Sequence, residues 1–339
     1  MEPTTIASCS SLAPFEPFWR SHVRITRRHL QVSLALLWLL DGILQSQPFM
    51  FSREFARRLL APSAQGQPTV VAATVHVVAA LVATHPALAN AGCVTIQIAL
   101  GLALFSRRFI RVALGVSIVW ALSVWFVGEG LGGLVTGATL LTGAPGAALL
   151  YAVVAVLAWP AHDGQSDDRP SWLVLPAWCA LWLSGAVLQL VAGNNSSTSF
   201  TMLLRAAWPG SPGWISGIDR YLVRLHLPGW MPALVIALYV LVGIWALVPG
   251  WTRRLSIGIG VFIALTGWLL FQGLGDLTSG QSTDVNSGPL IVLLALAVVG
   301  APSRSRKSRL THSRLVNRCR EGVPHCYQRT FANLSESDA

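Results

Sequence analysis

The residues best suited to chemistry are a few carboxylate and amide side chains inside or beside long apolar segments. Asp41 lies well inside the apolar segment at 30–47, and Glu129 directly follows the segment at 109–128. An ionisable side chain within such a segment costs free energy, and where it occurs it commonly serves a solute or proton pathway. We therefore predict that Asp41, Gln45 and Glu129 converge on an outward-facing polar pocket.

A second set of polar residues stands at corresponding places later in the chain, namely Gln189, Gln272 and Asp276. We predict that they form an equivalent of the first pocket, although Gly185 stands where Asp41 would have its counterpart. A purely structural interpretation stays open for both sets. Side chains near the ends of apolar segments also cap helix termini at the level of the lipid headgroups.

Other residue types that bind metals or catalyse reactions form no recognisable motif. His76 and His85 are nine residues apart, so they do not share one face of a helix. The loop at 280–288 lacks the ligand spacing of an EF-hand and is predicted to be a turn, and the Cys and His residues at 319–326 fit no zinc pattern. We assign no catalytic residue and no metal ligand, leave the cofactor unknown, and favour a protein that is not an enzyme.

The composition decides which solvent surrounds these residues. Hydrophobic residues make up 53% of the 339 residues and charged residues only 11%, whereas soluble domains average about 25% charged residues. Several apolar runs approach the roughly 20 residues that cross a lipid hydrocarbon core. The sequence therefore predicts an all-α membrane protein whose main partner is the lipid bilayer.

Eight of the apolar runs are predicted to cross the membrane. A further run at 70–84 is shorter, and we predict that it is re-entrant or lies in the membrane interface. The stretch at 214–227, which carries Asp219 and Arg220, is too charged to cross. The eight predicted spans are 30–47, 88–106, 109–128, 144–160, 172–192, 230–249, 255–272 and 288–301.

The net charge of +10 is concentrated in basic clusters beside the predicted spans. Lys and Arg favour the cytoplasmic side, so these clusters orient the chain in the cell membrane with both termini in the cytoplasm. The arginines at 53–58 oppose this rule, and their spacing with Phe55 and Leu59 predicts a short amphipathic surface helix. Clusters of this kind set topology, so no nucleic-acid partner is expected. The cytoplasmic clusters are at 20–28, 107–111, 253–254 and 304–320.

Internal repetition divides the chain into two units. The triplet Leu-Trp-Leu at 37–39 recurs at 181–183, about 144 residues later, and Gly-Leu-Gly at 130–132 recurs at 273–275. Because each unit has an even number of spans, both units would face the same way, as two tandem parallel four-helix units. The predicted parts are a basic segment at 1–29, units at 30–160 and 172–301, a linker at 161–171 and a basic tail at 302–339.

Each unit resembles the DoxX-like membrane proteins. The residues that carry the resemblance are 38–42, 101–108 and 115 in the first unit and 182–185 and 243–254 in the second. The resemblance implies a four-helix membrane unit and a redox accessory role, since some relatives are small subunits of quinone-reducing enzymes. The family's unit usually stands alone, and its acidic position in the second helix has no match here, so no site residue is transferred.

Three functions follow from these patterns. The first is an accessory of a quinone-linked redox or envelope-stress system, whose partner is a quinone or a redox protein. The alternative is a small-solute transporter or channel with a site near Asp41 and Glu129, because parallel repeats and a buried acid are features of carriers. The third is the catalytic membrane subunit of an oxidoreductase.

Overall fold

The computed structural model describes residues 25–160 and 170–300, apart from 192, 208, 210 and 226. All regular secondary structure in these ranges is helical and none is strand, which confirms the all-α class. Most of the predicted N-terminal segment, linker and tail lies outside the described residues.

The described residues form twelve α-helices, and long connections follow α5 and α11. These are α1 (Arg27–Gln45), α2 (Arg53–Phe55), α3 (Thr69–Thr84), α4 (Pro86–Phe105), α5 (Ile110–Val127), α6 (Ala147–Leu157), α7 (Val174–Val191), α8 (Ser197–Ala206), α9 (Gly213–Arg224), α10 (Met231–Trp245), α11 (Trp251–Leu270) and α12 (Ser287–Gly300). A π-helical turn, Ala56–Leu60, continues α2, so the chain is helical where the short amphipathic helix is predicted. Glu54 there contacts the guanidinium groups of Arg57 at 3.6 Å and Arg58 at 2.8 Å.

Four of these helices, α4, α5, α7 and α11, are long and apolar enough to cross a membrane. The apolar helices α3, α6, α10 and α12 are shorter. Each of the eight predicted spans overlaps a helix, but α1 is less apolar than predicted because it carries Arg27, Arg28 and Asp41. Length and composition thus support a multi-pass membrane protein.

Hydrogen bonds from basic and polar side chains define one end of the bundle. Arg28 near the start of α1 donates to the carbonyl oxygens of Leu104 and Phe105 at the end of α4, at 3.2 and 2.6 Å. Gln31 Nε2 donates to the Ala158 carbonyl just after α6, and Arg253 Nε to the Ala246 carbonyl just after α10. We call this the basic end and the opposite end, where α1, α5, α7 and α11 finish, the distal end.

The bundle core is packed by aromatic rings and by glycines that let helices approach closely. Trp38 on α1 donates its indole N–H to Ser117 Oγ on α5 at 2.8 Å. Its ring centroid lies 4.6 Å from that of Tyr151 on α6. Helices α6 and α12 contact each other, and most of their side chains are buried. These contacts fix the inner face of α1, which carries Asp41.

Left-handed turns follow α5 and α11 at the distal end. The residues at 130–133 all have positive φ, between 52° and 70°, and so do those at 273–276, between 53° and 68°. Two of these residues, Leu131 and Leu274, adopt a conformation that costs an L-residue about 1–2 kcal/mol. Glycines occupy most of the other positions and remove that cost. Both turns send the chain back over the distal end.

The contact between α1 and α4 gives the first testable prediction. A Cβ at Gly101 would lie 2.6 Å from Leu39 Cγ and 3.0 Å from the Ala35 carbonyl oxygen, whereas one at Gly92 on the same helix would meet nothing within 4 Å. Gly101→Ala should lower stability by about 1–3 kcal/mol through overpacking. Gly92→Ala should leave stability unchanged or raise it by up to about 1 kcal/mol. Thermal unfolding in detergent compares the two variants, and equal shifts would contradict the packing described here.

Candidate functional site

A cavity of about 490 Å³ lies at the distal end of the bundle. Helices α1, α3, α4, α5 and α6 surround it, and the loop at 275–286 covers it. Its polar lining residues include Asp41, Gln45, Gln97, Glu129 and Asp284, and its aromatic ones include Trp38, Trp120 and Tyr151. The cavity thus joins carboxyl groups to apolar and aromatic walls.

One carboxyl group lies on a helix of the bundle and a second lies just after another helix. Asp41 is one turn beyond Trp38 on α1 and is only 2% exposed. Glu129 follows α5, and its Oε1 accepts a hydrogen bond from the Ala148 N–H at 2.9 Å, in the first turn of α6. A side chain at Gly146, where φ is 103°, would collide with the Glu129 carboxylate. Gly146 therefore allows Glu129 to reach both the helix terminus and the cavity.

The third carboxyl group belongs to a distant part of the chain. Asp284 lies in the loop that precedes α12, and its Oδ1 accepts from the Asn286 N–H at 2.6 Å. The Thr283 hydroxyl donates to Asp284 Oδ2 at 3.0 Å, and the Ser282 hydroxyl donates to the Gly275 carbonyl at 2.7 Å. These bonds hold the loop in place over the cavity.

Five polar side-chain atoms of cavity-lining residues have no hydrogen-bond partner. Two of the residues, Asp41 and Tyr151, are each only 2% exposed, and the Tyr151 hydroxyl lies beside the Asp41 carboxyl group without a well-formed bond to it. Most buried polar groups in proteins are bonded, so each exception needs an explanation such as a bound water or ligand. The five atoms are Asp41 Oδ1, Gln97 Oε1, Trp120 Nε1, Glu129 Oε2 and Tyr151 Oη.

Electrostatics at the cavity favour the neutral form of the loop carboxyl groups. Burial raises the pKa of Glu129, the nearby Asp284 raises it further, and the Ala148 N–H acts in the opposite direction. Burial also raises the pKa of Asp284, against the hydrogen bonds from Asn286 and Thr283. The residues that line the cavity include no Lys, Arg or His. A cation, or bound protons, would therefore compensate the carboxylates.

The predicted site residues fall into two groups. Asp41, Gln45, Glu129 and Asp276 all line this one cavity, so Asp276 sits with the first set and not with its own. Gln45 also exchanges hydrogen bonds with Asn90 on α4.

The other two predicted residues bond to nearby carbonyl groups instead. Gln189 Nε2 donates to the Asn194 carbonyl at 2.7 Å, and Gln272 Nε2 donates to the Leu141 carbonyl at 2.9 Å. Neither belongs to the lining of the cavity.

Sequence reasoning missed several residues of the cavity. Gln97 is a polar residue within apolar α4, the same signal that pointed to Asp41, and could have been found from it. Trp120 and Tyr151 resemble ordinary core aromatics. Asp284 lies in a loop that the sequence predicts as a simple turn, because no local pattern indicates that this loop folds onto helices more than a hundred residues earlier.

Comparison of the chain with protein-family models, with curated proteins and with solved structures finds no match. The resemblance to the DoxX-like proteins therefore stays a prediction. Among the described residues, no group of three or more His, Cys, Asp or Glu side chains is arranged to hold a metal ion. The arrangement is suited to binding protons and a polyatomic solute.

The raised pKa of Glu129 predicts how stability depends on pH. A folded state that binds the proton more tightly than the unfolded state loses stability as pH rises above the ordinary value of 4.5. Glu129→Gln keeps the oxygen that accepts from Ala148 but removes this titration. Its thermal midpoint in detergent should therefore fall less than that of the wild type as pH increases from 5 towards 8. Parallel pH profiles for the two proteins would contradict the proposed environment of Glu129.

Proposed function

We propose that the chain is a multi-pass integral membrane carrier that binds a small solute in the distal cavity in exchange for protons. The observation that carries this proposal is a cavity lined by four acidic residues, among whose lining residues five buried polar atoms have no hydrogen-bond partner. Ionisable groups inside a membrane protein commonly mark solute or proton pathways, because their burial costs free energy that a purely structural role does not need. This proposal develops the small-solute transporter that the sequence predicts as an alternative function.

The access to the cavity supports a carrier that is open on one side. Exposed Gln281 lies at its mouth, at the distal end. Between Asp41 and the basic end, α1 carries the buried side chains of Trp38, Leu34 and Leu30, which are 3%, 0% and 1% exposed. A solute that enters from the distal side would thus stop at Asp41. Passage to the other side would require helices to move relative to one another, as alternating access does.

Basic residues support a topology of eight spans with both termini in the cytoplasm. The described clusters at 27–28, 107–111 and 253–254 all lie at the basic end, where positive charge favours the cytoplasmic side. Helix α3 fits an interfacial position because Val71 and Val75 near its start pack against Phe126 and Leu131 at the distal end. Its other end is joined to α4 by His85 alone, which leaves no loop for a crossing hairpin.

Backbone geometry supports the two tandem units. The positive-φ residues at 130–133, 137 and 143 all have counterparts 143 residues later, at 273–276, 280 and 286. The helix pairs also match, since Gly101 on α4 faces Leu39 on α1 as Gly243 on α10 faces Leu183 on α7.

The two units would differ in whether they hold a site. In the second unit Gly185 replaces Asp41, and Leu140 from the first unit packs 3.1 Å from where the Cβ of residue 185 would lie. Leu141, the counterpart of Asp284, packs against Gly267. Leucines thus fill the space that carboxyl groups line in the first unit. This asymmetry supports one binding site per chain.

A quinone-linked accessory role is the second candidate. The Trp120 N–H and the Tyr151 hydroxyl lack partners and would suit the carbonyl oxygens of a quinone. A neutral quinone would, however, leave the carboxyl groups without a compensating charge. The carrier is therefore the better-supported function.

Flux measurements test the carrier. The purified chain is reconstituted into liposomes that contain a pH-sensitive dye, and amines, carboxylic acids, sugars and quinones are added outside in turn. One class should raise the luminal pH faster than in protein-free liposomes, since protons leave as the solute enters. Asp41→Asn should abolish this flux, whereas Ser184→Ala on α7, away from the cavity, should preserve it.

Absence of protein-dependent flux for every class would contradict the carrier. Co-purification of a quinone under mild extraction, together with no flux, would instead favour the accessory role. Native mass spectrometry of the protein with bound solute should show one solute per chain. Two solutes per chain would contradict the conclusion that leucines fill the equivalent space in the second unit.

A further inference from the structure

We infer that the solute is an amphipathic organic cation, with a protonated amine among the carboxyl groups and an apolar, aromatic body against the cavity walls. This inference rests on the proposed carrier function and names its substrate class.

Charge gives the first step of the argument. Four acidic residues, Asp41, Glu129, Asp276 and Asp284, line the cavity, and none of its lining residues is Lys, Arg or His. Carboxylates that share a low-dielectric space repel one another, so an anionic solute would add to an unfavourable charge. A cation removes that repulsion and can displace the protons that neutralise the acids in its absence.

Hydrogen bonding gives the second step. Asp41 Oδ1, Glu129 Oε2 and Gln97 Oε1 are acceptors without a partner, and they come from three different elements of the bundle. An ammonium group presents up to three N–H donors and no acceptor. The three oxygens suit an ammonium group better than they suit a carboxylate, and the unpartnered Trp120 N–H and Tyr151 hydroxyl can donate to an acceptor elsewhere on the solute.

Size and shape favour an organic ligand over a bare metal ion. The cavity encloses about 490 Å³, which lies in the range of sites for small organic ligands. The described acidic residues are also not grouped closely enough to bind one metal ion. The carboxyl groups are thus spread around a space that a polyatomic cation would fill.

The walls of the cavity supply the rest of the specificity. Trp38, Trp120 and Tyr151 line it from α1, α5 and α6, and Phe55, Val78 and Val82 line it from α2 and α3. Aromatic rings attract ammonium groups and also pack against apolar carbon skeletons. A small hydrophilic cation would leave these walls hydrated, so the solute must carry an apolar body.

Three probes that share one phenylpropyl skeleton separate the contributions. Phenylpropylamine carries the ammonium group, phenylpropanol is neutral, and phenylbutyrate carries a carboxylate, while propylamine lacks the ring. Binding to the full-length chain in lipid nanodiscs is measured by calorimetry at neutral pH. Phenylpropylamine should bind at least about tenfold more tightly than phenylpropanol, as expected for a hydrogen bond to a charged group. Phenylbutyrate and propylamine should bind more weakly than phenylpropylamine, and K⁺ and Mg²⁺ should not compete.

Variants of single acids identify the group that recognises the amine. Asp41→Asn should reduce the affinity for phenylpropylamine by about tenfold or more and leave that for phenylpropanol unchanged. Asp284→Asn, in the covering loop, should also reduce the affinity for phenylpropylamine. It replaces Asp41→Asn in this test if Asp41→Asn folds poorly. Asp219→Asn is the matched control, since this acid is fully buried on α9 and lies outside the cavity lining.

The outcomes separate this inference from the carrier function. If phenylpropanol or phenylbutyrate bound as tightly as phenylpropylamine, the inference that the solute carries an amine would be wrong. Competition by Mg²⁺ would also contradict it, because it would indicate a metal site. Equal affinity for propylamine would overturn the apolar body. If another solute class produced flux in liposomes, only the substrate class would be wrong, whereas lack of flux for every class would overturn the carrier itself.

Discussion

The free energy of placing carboxyl groups inside an apolar helix bundle constrains everything else in this molecule. On an insertion scale, an Asp at the centre of a membrane helix costs about 2.5–3.5 kcal/mol. Each buried polar atom without a partner adds about 1–3 kcal/mol. Asp41 is 2% exposed and one of its oxygens has no partner, so its burial is compensated from within the cavity or by what the cavity binds. Helix packing, the distal turns and the covering loop all act to create that space.

The distal turns connect the backbone to the site. Four successive left-handed residues after α11 direct the following loop across the bundle, where hydrogen bonds within it position Asp284. The corresponding turn after α5 directs Leu140 and Leu141 towards α7 and α11. The same backbone path therefore delivers a carboxylate to one place and leucines to the other. In the proposed carrier, this difference in side chains leaves only the first of the two places able to accept a solute.

Sequence patterns predicted the helices better than the site. Apolar runs located the eight helices because lipid selects for length and hydropathy, and a polar residue in an apolar run identified Asp41. Glu129 followed from its position at the end of a span. Gln272 and Asp276 lie close together in the chain, yet Asp276 lines the cavity and Gln272 bonds to Leu141. Such differences, like the role of Asp284, depend on how distant loops cross the distal end, which local periodicity does not encode.

Reactivity of Cys93, which lines the cavity from α4, tests most directly whether a water-accessible space lined by acids exists there, and it is measured above pH 8, where Glu129 is ionised. Cys93 is kept as the single cysteine in membrane vesicles of known orientation. A cationic methanethiosulfonate should modify it from the distal side at least about tenfold faster than an anionic one, relative to a free thiol. Asp41→Asn with Asp284→Asn should remove most of that preference. Equal rates for the two reagents, or reaction only from the basic side, would contradict a cavity of this kind.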